Sequence, residues 1–330
     1  METTTKIPGA AEACISLFSE AKFTANLAKM ATEELLFMAL ASVRVNPTQS
    51  IALLNKVWER QNKYGFLPAF QSNDIPALPL AGLILEKIYR SVPVGAEIKS
   101  HFKEYVKKSL SNHQWWYQNA ADEETSTLKV SYDWEHAAIK RLVTAVFDND
   151  LLVNKVEGDT PGALFNAIMA ASNESLIHLG GKLGLDISDL MYAQEMGIYC
   201  VDEQYWDNSM GTYKVIPTEY LPQPLNELIL MAGGIPTQDQ AEQLLARLCI
   251  FAELDQMALE FPDGVKTTPQ FMALMEQPFF SWLLINGLLK YDMEDMAEVV
   301  SGFFLKKFEN QPFNADQVFL SAMYMNILQA

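Results

Sequence analysis

Residues 130 to 142, VSYDWEHAAIKRL, set Tyr132, Asp133, Trp134, Glu135 and His136 side by side ahead of a helical run. Two carboxyls and an imidazole within four residues can move protons, because histidine titrates near neutrality and a neighbouring carboxylate tunes it. The same residues also suit a helix start. Asp133 is then the N-cap, with Glu135 and His136 in the first turn, where acidic groups sit well against the positive end of the helix. Both readings stand at this point, with Asp133, Glu135 and His136 as the candidate catalytic set and Trp134 and Tyr132 as candidate binding residues.

Other groups have the chemistry of a binding wall. Trp115-Trp116-Tyr117 offers flat apolar faces for a sugar or another planar ligand, though adjacent tryptophans at a helix end more often send one ring into the core and one into a loop. Asp148 opens the acidic segment DNDLLVNKVEGD. That segment lacks the Asp-x-Asn-x-Asp-Gly order and closing glutamate of a calcium loop, so it reads as a solvated acidic loop, with Asp148 kept as a candidate binding residue. His101, His113 and His178 have no metal-ligand spacing. Cys14, Cys200 and Cys249 are odd in number and far apart, as in a reducing cytoplasm. No phosphate-binding glycine loop, nucleophile elbow or Cys-His pairing is visible, so neither a cofactor nor a metal is expected.

The elements that must position these groups are helices. Apolar residues recur at intervals of three and four, and clean alternation is scarce. Helices are expected over Thr32 to Val45, from Asn46-Pro47 to near Gly65, Pro76 to Val92, Val94 to Asn119, Asp133 to Phe147, Thr160 to Leu183, Ile187 to Trp206, Leu221 to Ala232, Thr237 to Leu254, Thr268 to Glu276, Phe279 to Tyr291, Glu294 to Glu309 and Asn314 to Leu328. An amphipathic segment near Pro8 to Lys29 precedes them. Loops differ in length and no strict repeat appears, which favours a closed ring of helical hairpins over an open solenoid. The expected organisation is one all-α domain over residues 1–330, with residues 1–30 peripheral to it.

Composition narrows the partners. A net charge of −17 over 330 residues, from 41 acidic and 24 basic side chains, repels phosphate backbones and anionic lipid, so nucleic acid and membrane surfaces are poor partners. A small molecule is the expected ligand. Hydrophobic residues make up 49% of the chain, enough to fill a core. The N-terminus lacks the basic-then-apolar order of a signal peptide, so a cytoplasmic protein is expected.

Four segments resemble elements of the glycoside hydrolases of the trehalase, processing α-glucosidase and mannosylglycerate hydrolase type. VWERQNKYGFLPAF is similar to their Q-x-x-x-G-x-(I/L)-P element through Gln61, Gly65, Leu67 and Pro68. QYWDNSMGTYKV is similar to their L-W-D-x-x-x-G-x-Y-x-D element through Trp206, Asp207, Gly211 and Tyr213. GGIPTQDQAEQLLARL matches G-I-P-T-x-x-Q-A-x-x-L through Gly234, Ile235, Pro236, Thr237, Gln240, Ala241 and Leu244. The late W-L-L-x-x-G-L-x-x-Y segment is matched from Trp282 to Tyr291.

The resemblance implies an (α/α)6 toroid with Gln61 near a sugar pocket. It also places the opening stretch at the family's W-E-S-G-x-D, whose final aspartate is the general acid. Trp134 and Glu135 match there, but Ile139 stands at the acid's position. The base-bearing loop has shortened to ENQPFNADQ, Ile75 stands where a sugar-binding glutamine belongs, and the Trp-Asp pair near the start has no counterpart. Inverting hydrolysis needs two carboxyls about 6.5–9.5 Å apart, and an alkyl side chain donates no proton. Three functions follow: a non-hydrolytic acid/base enzyme such as an isomerase, lyase or cyclase; a glycosidase with relocated carboxylates, Asp133 being the nearest substitute; or a binding or scaffold protein without turnover.

Overall fold

The computed structural model describes residues 27–71, 74–93, 97–130, 160–214, 223–247, 249–253, 256–260, 277–308 and 318–328, together with Ser16, Trp134, Ala137, Ala138, Arg141 and Leu142. Among them lie helices α1 (Thr32–Ser42), α2 (Pro47–Glu59), α3 (Ala81–Ser91), α4 (Glu97–Ala120), α5 (Ala163–Leu183), α6 (Ser188–Tyr205), α7 (Gln223–Ala232), α8 (Gln238–Arg247), α9 (Pro278–Lys290), α10 (Glu294–Phe308) and α11 (Val318–Leu328).

Alternate helices close a ring. Helix α1 packs on α3, α3 on α5, α5 on α7, α7 on α9, α9 on α11, and α11 returns to α1. The intervening helices lie outside it, with α2 on α1, α4 on α3 and α5, α6 on α5, α8 on α7 and α10 on α9. The sequence encodes this division through patterning. Inner α1, TEELLFMALAS, buries nearly every residue because it meets neighbours all round, whereas outer α2 buries one stripe, Ser50, Leu53, Leu54, Val57 and Trp58. Asn46 caps α2 as expected, its side chain accepting from the Gln49 N–H at 3.2 Å with Pro47 in the first turn.

Connections differ sharply between the two ends of the ring. Inner helices pass to outer ones through the short turns 43–46, 92–96, 184–187, 233–237 and 291–293. Outer helices return through the longer segments 60–80, 121–162, 206–222, 248–277 and 309–317. The described parts of these longer connections, such as 60–71, 74–80 and 121–130, therefore lie toward the N-terminal end of the inner helices.

Three of the four familiar segments, those around Trp206, Gly234 and Trp282, interlock as scaffold. Asp202 on α6 accepts from the Tyr213 hydroxyl at 3.2 Å and from the Gln240 amide at 2.9 Å. Gln240 also closes a reciprocal cap at the start of α8, accepting from the Thr237 N–H at 2.6 Å while its own N–H reaches the Thr237 hydroxyl at 3.3 Å. Tyr291 donates to the Pro236 carbonyl at 2.6 Å, and Trp206 packs edge-on against Tyr213.

Four expectations are corrected, the first being that α2 ends at Glu59 and not near Gly65. The helix expected to run to Leu254 stops at Arg247, and Cys249–Glu253 pairs instead as an antiparallel hairpin strand with Gln256–Glu260. A short apolar run such as Cys-Ile-Phe has no period long enough to distinguish helix from strand. The α3 helix begins at Ala81, not Pro76, because Pro76 bridges Pro68 in extended backbone. Thr160–Pro161 pairs with Lys129–Val130, and α5 starts only at Ala163. The expected helix over Thr268 to Glu276 lies outside the described residues, as do positions 8–15 and 17–26 of the N-terminal amphipathic segment. No helix among the described residues is long and apolar enough to cross a membrane.

Candidate active site

At the mouth of the ring stands an aromatic wall. Helix α4 ends there and delivers Trp115 and Trp116 together. Trp116 is fully buried and Trp115 half-buried, so adjacent rings take the divided roles that two tryptophans at a helix end usually take. Trp134, in the helical stretch that also holds Ala137, Ala138, Arg141 and Leu142, stands edge-on to Trp116 at 5.9 Å and tilted to Trp115 at 6.2 Å. Phe66 closes on Trp115 at 4.9 Å and Phe165 on Trp116 at 5.4 Å. These contacts come from the outer helix end, the start of inner α5 and two long connections, all at the same end of the ring. Edge-on and tilted arrangements are those preferred by ring quadrupoles. The buried indole N–H of Trp116 has no hydrogen-bond partner, so the wall holds one orphan donor.

A buried ion pair fixes this stretch to the ring. Arg141 donates to Glu33 in the first turn of α1 at 2.7 Å, with side-chain exposures of 8% and 1%. The same Glu33 oxygen accepts from the Leu78 N–H at 3.0 Å, while its second oxygen and the Arg141 Nε have no partner. Beside it, Glu34 accepts from the Ala31 N–H at 2.6 Å. Burial raises the Glu34 pKa above the usual carboxyl range, helped by the adjacent Glu33 charge and opposed by the Ala31 N–H, Arg60 and Arg141. Arg60 is desolvated as well, which lowers its pKa, and donates to the Met30 and Leu27 carbonyls at 2.9 Å each. The two adjacent carboxyls thus sit in different environments, Glu34 with a raised pKa and Glu33 held by Arg141.

Of the residues singled out from the sequence, the structure brings Trp115, Trp116 and Trp134 together. Gln61 is turned to scaffold work: its amide donates to the Lys108 carbonyl at 2.8 Å and the Gly65 carbonyl at 3.2 Å, pinning the 60–80 connection to α4. Tyr132, Asp133, Glu135, His136, Ile139 and Asp148 lie outside the described residues. Glu33, Glu34 and Arg141 were not among the sequence candidates. Glu33 and Arg141 are 108 residues apart, and the one local hint was two acidic residues opening an otherwise apolar helix, which capping alone explains.

His113 is fully buried behind the wall. Its Nδ1 lies 2.6 Å from the Asn173 carbonyl oxygen, and its Nε2 lies 3.1 Å from the Ser172 hydroxyl. An amide oxygen only accepts, so Nδ1 carries the proton and Nε2 accepts. Burial lowers the His113 pKa to about 4. No group of three or more histidine, cysteine, aspartate or glutamate side chains among the described residues is arranged to hold a metal.

Ring closure, alternating inner and outer helices and long connections at one end define a glycoside hydrolase-like (α/α)6 toroid. Solved structures share it. An uncharacterized conserved protein from Thermus thermophilus superposes with a TM-score of 0.72 at 17% identity, over 97% of this chain and 99% of that one. The GH63 mannosylglycerate hydrolase of the same organism, solved with Tris and D-glycerate, gives 0.70 at 14% identity over 97% and 99%. The neutral trehalase of Saccharomyces cerevisiae gives 0.61 at 11% identity over 90% of this chain and 70% of its own. No protein-family model and no curated protein matches the sequence.

Proposed function

We propose that this protein is a non-hydrolytic acid/base enzyme on a glycosidase-like barrel, an isomerase, lyase or cyclase acting on a small, partly apolar molecule at the mouth of the ring. The aromatic wall of Trp115, Trp116 and Trp134 is the observation that carries this reading. A sugar site needs many polar partners for its hydroxyls. The described part of this wall offers aromatic rings whose polar atoms are indole N–H groups, the one on Trp116 being buried without a partner, and Gln61 is spent on backbone carbonyls. Such rings suit an apolar substrate or a cationic intermediate. In the chain, Asp133, Glu135 and His136 immediately flank Trp134 and are the proton-moving candidates, while Ile139 replaces the general acid of the hydrolases this segment resembles. In an isomerisation or cyclisation a proton leaves one atom of the substrate and returns to another as a double bond shifts or a ring bond forms, and in an elimination it passes to the leaving group as that bond breaks and a double bond forms, with no added reactant in either case.

The reading is tested by incubating the protein with a metabolite mixture and following each compound by mass. The expected product is isomeric with the consumed compound, or lighter by an eliminated small molecule. Its formation should fall at least 100-fold in Glu135→Gln or His136→Ala. Unchanged turnover in both variants removes these residues from the mechanism.

A second reading, a glycosidase with relocated carboxylates, draws on the Glu33 and Glu34 pair and on the likeness to the mannosylglycerate hydrolase over nearly its whole length. Release of sugar from mannosylglycerate, trehalose or aryl α-glucosides, abolished by Glu33→Gln, Glu34→Gln or Asp133→Asn, selects it over the first. Ligand binding without conversion of any compound selects a binding protein.

A further inference from the structure

Outer helix α6, SDLMYAQEMGIYCVDEQY, is unlike the other outer helices in what it leaves uncovered. It fully buries only Leu190 and Val201. Met191, Tyr192 and Tyr199 are exposed at 45%, 65% and 60%, and Met196 is half-buried. At about 100° per residue, these four fall in one outward arc of roughly 160° with Asp189, Glu195 and Glu203, all exposed. Large apolar and acidic side chains therefore interleave on one face, and α6 carries no lysine or arginine at all. Beside it, between α4 and α6, runs a groove of about 570 Å³, bordered by Glu123, Asp186 and Asp189, by Asp122, which Lys129 pairs at 2.6 Å, and by Lys107.

We infer that this face docks a cationic amphipathic helix of a partner protein. Methionine adapts to varied apolar surfaces and tyrosine contributes contact area at little entropic cost, so the arc receives leucine-like anchors at helical spacing. The acidic residues between them match lysine or arginine on the flanks of those anchors. A second copy is a poor occupant, because a two-fold pair brings the same acidic face against itself. A single 18-residue helix face is small, so binding is expected to be weak and salt-dependent.

The test uses a fluorescein-labelled 14-residue amphipathic peptide of leucine and lysine, titrated with the full chain, and a leucine and glutamate peptide as control. The lysine peptide is expected to bind and the glutamate peptide not. Affinity should fall at least tenfold in the triple variant Met191→Ser, Tyr192→Ser, Tyr199→Ser, which leaves every charge in place. Equal binding by that variant means the peptide reads only the net charge of −17 and overturns the proposal. So does a wild-type dimer in sedimentation that the same variant dissociates, since a second copy is then the occupant.

Discussion

His113 shows how a residue that looks catalytic in a list can be structural. It joins α4 to α5 through Asn173 and Ser172, and Asn173 extends the network to the Tyr117 hydroxyl at 2.6 Å and Gln194 at 3.0 Å. The unfolded imidazole takes a proton below pH 6.5, whereas the folded one does so only near 4. Its contribution is therefore fully present above about pH 6.5 and is lost as the pH falls toward 4, amounting to roughly 3 kcal/mol. Urea unfolding midpoints at pH 7.5 and 5 check this. The wild type should weaken on acidification, and His113→Gln should be less stable at pH 7.5 yet show a smaller drop. At this scale the sequence revealed Trp115, Trp116 and Trp134 because rare large rings announce themselves. It hid Glu33 and Arg141, because an ion pair across 108 residues leaves no local pattern.

At the level of elements, the familiar segments serve the fold. Gln61 and Gly65 clip a long connection onto α4, and Gly65 is left-handed at φ 88° and close to the Ser111 backbone, where a side chain has no room. Asp202, Tyr213, Gln240, Thr237 and Tyr291 hold the α6–α8 side of the ring together. Gln61, Gly65, Thr237, Gln240 and Tyr291 stay legible in the sequence because each meets a backbone need, whereas Asp202, which binds only side chains of other segments, was not singled out. Helix identities were legible for the same reason, through spacing and caps, while the Cys249–Glu253 hairpin was not, since strand pairing is decided by a partner segment. The stretch carrying Trp134 is held by the Arg141–Glu33 pair. Arg141→Met should cost about 3–5 kcal/mol by stranding a buried carboxylate, and adding Glu33→Gln should recover part of that loss in chemical denaturation. Full additivity would show that the two groups do not act as a pair.

For the whole molecule, ring closure divides labour between its two ends. Short turns lead from inner to outer helices at one end, and the described parts of the long connections lie at the other, with the aromatic wall and the Glu33–Arg141 pair. The toroid was legible from the number of helices and four motifs. The fold alone does not carry an activity, so the chemistry proposed above rests on the residues around Trp134 in the chain, where Ile139 stands at the position of the acid in the hydrolases this segment resembles. The central claim, that this mouth moves protons without hydrolysis, is tested most directly by running the conversion of the substrate found in the metabolite screen in ¹⁸O-labelled water. The account predicts a product free of the heavy oxygen, isomeric with its substrate or lighter by an eliminated molecule. A product that has gained water and carries ¹⁸O at the cleaved bond would contradict it.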